Sequence, residues 1–111
     1  MKSFKEYIKE SDTFSKTEIQ DVRNMMMLFV RKQNRSKKIM EKFSNFMLAM
    51  SKADGNFADK IQKGIEESGI RERMLKDIFE NAKNQINDTK LDSSRKDFLI
   101  EFADAVLMDL G

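Results

Sequence analysis

The chain contains no proline, and its only glycines are Gly55, Gly64, Gly69 and Gly111. These two residue types punctuate a chain into tight turns. A sequence this poor in both disfavours successive hairpins and favours long helices. The apolar residues agree: they recur at i, i+3 and i+4, with no sustained two-residue alternation and no internal repeat. The expected fold is all-α, a compact bundle of four to five helices plus a short N-terminal helix.

Capping signals divide the chain. Ser3 and Glu6 have capping-box spacing, and Phe4, Tyr7 and Ile8 form one apolar stripe over about two turns. Ser11 to Phe14 reads as a polar connector. Ser15 and Glu18 make a second capping box, opening a helix to about Gln33 with Ile19, Val22, Met26, Phe29 and Val30 on its main face. Met25, Met27 and Leu28 carry the apolar zone almost around it, which predicts a central or covered helix. Asn34 or Ser36 caps the next helix, which runs to about Ala53 and buries Ile39, Met40, Phe43, Phe46, Met47 and Met50.

Asp54-Gly55-Asn56 reads as the turn ending that helix. A shorter helix over about 58–67 puts Ile61 and Ile65 inward and stops at Ser68-Gly69. The following one, over about 70–86, uses Met74, Leu75, Ile78, Phe79, Ala82 and Ile86. Ser93 or Ser94 caps the last, which carries Phe98, Leu99, Phe102, Ala105, Val106 and Leu110. Residues 15–111 therefore read as a single helical domain, and residues 1–10 as a separate amphipathic segment. Connections of two to five residues predict antiparallel neighbours.

Composition narrows the chemistry. Apolar residues make up 40%, enough to offset chain entropy, and charged residues 36%, which suits helices with solvated outer faces. Histidine and cysteine are both absent. That removes disulfides, the commonest general base and the usual zinc ligands. Only Ser/Lys or paired-carboxylate catalysis remains, and the acids recur as helix-surface charges, such as Glu66, Glu67, Glu72 and Asp77. No two glycines lie close enough for a phosphate loop. A calcium loop around Gly55 would place Met50 and Lys52 where acids belong and Ile61 where the closing Glu belongs. The expectation is no enzyme, no metal and no cofactor. The longest apolar run, Met25 to Val30, is far too short to cross a bilayer, and the first residues lack the apolar core of a secretory signal.

The formal charge is only +2, but its distribution is uneven. Arg31, Lys32, Arg35, Lys37, Lys38 and Lys42 gather in one stretch, opposed only by Glu41. They form a candidate phosphate-contacting patch, or else a solvated loop whose Arg31 and Lys32 match the helix dipole. No aromatic residue interleaves with them, so base stacking is not indicated. Towards the C-terminus, Asp97, Glu101, Asp104 and Asp109 stand without a cation, which reads as a solvated face, with pairing to the basic loop within the chain or between copies as the other use. The nine methionines, Met25, Met26, Met27, Met40, Met47 and Met50 among them, suit core packing, with an adaptable groove or oligomer surface as the other use.

The opening Met1-Lys2-Ser3-Phe4-Lys5-Glu6-Tyr7-Ile8-Lys9-Glu10 resembles the capsid-targeting segment of internal head proteins of T-even-type tailed phages. Those segments begin Met-Lys-Thr, continue with an aromatic and a short amphipathic stretch, and end in Leu or Ile, any residue, Glu. A prohead protease cuts after that Glu. Ser3 stands where Thr is usual. The resemblance implies a processing site at Ile8, Glu10 and Ser11, a docking stripe of Phe4, Tyr7 and Ile8, and a mature chain beginning at Ser11. It covers only these residues and transfers no activity to 11–111.

Two functions are expected from this reading. The first is a small non-enzymatic phage protein, virion-associated or host-directed, that binds a protein partner, either a phage scaffold or a host factor. The second is a cytosolic helical adaptor binding nucleic acid through the basic loop 31–42. The first places the protein in the phage virion or the host cytoplasm. Neither requires a membrane, and either allows a homo-oligomer.

Overall fold

The computed structural model describes residues 14–111, and these form five helices. They are α1 (Lys16–Lys32), α2 (Lys37–Lys52), α3 (Phe57–Ser68), α4 (Glu72–Gln85) and α5 (Ser93–Leu110), with a 3-10 turn at Ile86–Asp88 between the last two. Among the described residues there is no strand. The Ser3/Glu6 box, the Phe4, Tyr7 and Ile8 stripe, and the Ile8, Glu10 and Ser11 processing site lie outside the described residues.

Local chemistry starts most of these helices. Ser15 Oγ accepts from the Glu18 amide at 3.0 Å, and Glu18 Oε1 accepts from the Ser15 amide at 2.8 Å. Two otherwise orphaned N–H groups are thereby satisfied. Ser36, rather than Asn34, caps α2 by accepting from the Ile39 amide. Asn34 instead adopts φ 58°, a left-handed conformation that asparagine tolerates, and helps reverse the chain. Asn56 belongs to α3, not to the end of α2: its Oδ1 accepts from the Asp59 amide at 2.9 Å, while Asp59 reaches back to the Asn56 amide. This cap starts α3 at Phe57, one residue earlier than expected. Asp92, not Ser93 or Ser94, caps α5 through the Arg95 amide at 2.8 Å. An ionised carboxylate at an N-terminus is also favoured by the helix dipole.

Of the helices adjacent in sequence, α1 and α2, α2 and α3, and α4 and α5 pack as neighbours, whereas α3 and α4, despite their short connection, do not pack side by side. Arg23 on α1 donates to Ser44 Oγ on α2 at 2.7 Å, both about equally far from the connecting turn. Gly64 on α3 lies against Phe46 on α2 in the same manner across the Gly55 turn. α4 packs on α5, and α1 touches α2, α4 and α5, which makes it the central helix. Its apolar zone is not uniformly covered, since Met25 and Met27 are half-buried and Leu28 is exposed.

Phenylalanines link the two sides of the core. Phe102 sits 5.0 Å from Phe14, 5.5 Å from Phe57 and 6.2 Å from Phe79 between ring centroids. Phe79 continues to Phe43 at 5.5 Å, and Phe43 to Phe46 at 6.2 Å. Phe43, Phe46, Phe79 and Phe102 are fully buried, as their helical spacing predicts. Phe14 corrects the expected polar connector: it is 5% exposed and packs on Phe57 and Phe98 as well as Phe102. Burial of a large aromatic ring outweighs the polarity of its neighbours in sequence.

Gly64 is required by close approach. A Cβ there would lie 2.7 Å from Phe46 Cδ1 and 2.9 Å from the Phe46 carbonyl oxygen. The carbonyl belongs to a helix and cannot move aside freely. Gly64→Ala should therefore lower stability by about 1 kcal/mol or more in urea denaturation, despite the roughly 1 kcal/mol that alanine gains in helix propensity. A neutral or stabilising result would mean that α2 and α3 separate at little cost.

Candidate functional site

The α1–α2 turn gathers the cations singled out in the sequence. Arg31 and Lys32 occupy the last turn of α1, where their charge opposes the negative end of the helix dipole. Lys37 and Lys38 occupy the first turn of α2, which holds no acid. All four are exposed, and Lys42, one turn further along α2, is half-buried.

Arg35 separates from this group. Its side chain is 14% exposed and faces α4, where Nη2 donates to Asp77 Oδ2 at 2.6 Å and Nη1 approaches Met74 Sδ at 3.4 Å. Its Nε donates to Gln33 Oε1 at 2.6 Å. Gln33 Nε2 in turn donates to the Ile78 carbonyl and to Gln85 Oε1, each at 3.1 Å. The pair fastens the turn to α4, and a carboxylate already compensates the Arg35 charge. No buried side-chain nitrogen or oxygen among the described residues is left without a partner, which makes such a half-buried network tolerable.

Beside this network runs an open groove lined by Gln33, Arg35, Asn81, Asn84, Gln85 and Asp88. Its amides were not singled out in the sequence, although Asn81, Asn84, Gln85 and Asp88 stand at i, i+3, i+4 and i+7 and so share a helix face. A second open groove, between the start of α4 and the end of α5, mixes Arg71, Arg73 and Lys76 with Glu72, Asp77 and Glu80. Nearby, partial burial holds the Asp109 carboxyl above its ordinary range, and the negative charge of Glu72 adds to the effect.

Compared with known protein families, curated proteins and solved structures, the chain matches none.

Pairing of the basic loop with the acids of α5 within one chain does not occur among the described residues. Asp104 on α5 pairs with Lys83 on α4, and the loop's own partner is Asp77 on α4. No group of three or more acidic side chains suited to a metal occurs among the described residues. No helix there is long and apolar enough to cross a membrane. At the α1–α2 end the exposed ammonium, guanidinium and amide groups, which donate hydrogen bonds and attract anions, outnumber the nearby carboxylates Glu41, Asp77 and Asp88.

Proposed function

We propose that this chain is a small, non-enzymatic phage protein, associated with the virion or directed at the host. Its helical body binds a protein partner, and its first ten residues act as a removable targeting segment. The observation that supports this reading is that a cut after Glu10 would spare every described core residue and helix. Phe14 is already core, and the Ser15 cap follows it immediately. Such a cut leaves Ser11, Asp12 and Thr13 ahead of Phe14. Targeting and folding would thus use separate stretches of chain, as removal of one without loss of the other requires.

The test is mass spectrometry of the protein taken from purified phage particles. The expected mature form starts at Ser11, and Glu10→Ala should leave the chain at full length. Particles that lack the protein, or contain only the uncut chain, would overturn the reading.

A further inference from the structure

We propose that the α1–α2 end, with the amide-lined groove beside it, is a binding surface for duplex DNA, held through backbone phosphates. Two helices and one short turn place Arg31, Lys32, Lys37 and Lys38 on the same end of the bundle, all exposed. Folding accounts for the first pair, because cations suit a helix C-terminus. It does not account for Lys37 and Lys38, whose charges oppose the dipole of α2 in a turn with no acid. A line of phosphates brought against this end would offset that repulsion. Arg35 is not part of the phosphate-facing set, since Asp77 already holds it.

The surroundings select the partner. A lipid surface needs a broad apolar face beside its cations. Here the exposed neighbours are Asn34, Ser36 and Glu41, and Leu28 is the one large exposed apolar side chain within a turn of Lys32 among the described residues. A single strand needs aromatic platforms for its bases. Every phenylalanine of the described residues is buried or half-buried. A duplex needs neither, because its phosphates are closely and regularly spaced. The groove supplies Asn81, Asn84 and Gln85, and side-chain amides hydrogen-bond both phosphate oxygens and base edges. Glu41, Asp77 and Asp88 lie close by, and the whole chain carries only +2, so binding is weak and depends strongly on salt.

The test is fluorescence anisotropy of a labelled duplex of roughly 20 base pairs, titrated with the full chain between about 50 and 200 mM salt. Four phosphate contacts predict that the logarithm of the binding constant falls against the logarithm of salt with a slope of about −3.6. Lys37→Glu with Lys38→Glu should weaken low-salt binding by about tenfold or more and flatten the slope by about two units. The control is Lys52→Glu with Lys63→Glu, which changes net charge equally. Lys52 lies at the far end of α2, about 20 Å away at 1.5 Å rise per residue. Circular dichroism verifies that both variants fold.

Retained binding by the control and loss by the first variant support the proposal. Four results would overturn it: no binding by the parent chain at the lowest salt; equal weakening by both variants; stronger binding to the single strand of the same sequence; or stronger binding to phosphatidylserine vesicles. The virion reading stands or falls separately, on N-terminal processing.

Discussion

Phe102→Ala should destabilise the protein by about 3–5 kcal/mol, the usual cost of truncating a fully buried phenylalanine. Such a loss is a large fraction of the roughly 5–15 kcal/mol that holds an ordinary domain together. Phe102 is 0% exposed and borders three other rings: Phe14 from before α1, Phe57 from α3 and Phe79 from α4. A cavity there would face side chains anchored in different segments, so no single shift closes it. Urea denaturation should show a lower midpoint with little change in slope. Phe98→Ala, at a half-buried position on the same helix, should cost clearly less. Equal losses at the two positions would mean that the ring contacts of Phe102 add nothing to simple burial.

The all-helical fold was legible because periodicity, capping and missing turn residues pointed the same way. Phe43, Phe46, Phe79 and Phe102 sit mid-helix, where 3.6-residue spacing identifies the inward face. Phe14 and Phe57 escaped because they stand at helix beginnings. Phe14 immediately precedes the Ser15 cap, with Ile19 at the fourth helical position, the spacing of a hydrophobic staple. Phe57 follows Asn56, whose pairing with Asp59 three residues on is itself a cap signal, obscured by the neighbouring Asp54-Gly55 turn.

The basic stretch was visible as a charge run, but its division was not. Arg35 looks like its neighbours in sequence, and only the approach of Asp77, 42 residues later, turns it inward. The amide groove needs the same tertiary approach, since Gln33 meets Gln85 across 52 residues. Local pattern carries no information about which distant helix covers a given face.

Truncation separates targeting from folding through Phe14. A chain beginning at Ser11 should melt close to the full-length protein, because it keeps Phe14 and the Ser15 capping box. A chain beginning at Ser15, or the full chain with Phe14→Ala, should lose about 3–5 kcal/mol, since each removes a ring that is 5% exposed and lies against Phe57, Phe98 and Phe102. For a domain of this size that corresponds to a fall of roughly 13–25 °C in Tm. The transition between tolerated and damaging truncation should thus fall between residues 11 and 15, and not at the start of the chain. Under the proposed function this placement has a reason: a protease that cuts after Glu10 must stop short of the core, and three residues separate its cut from Phe14. If the Ser11 chain itself loses several kcal/mol, then Phe4, Tyr7 and Ile8 contribute buried apolar surface to the body. The first ten residues would then be part of the fold, and a removable targeting segment would have no physical basis.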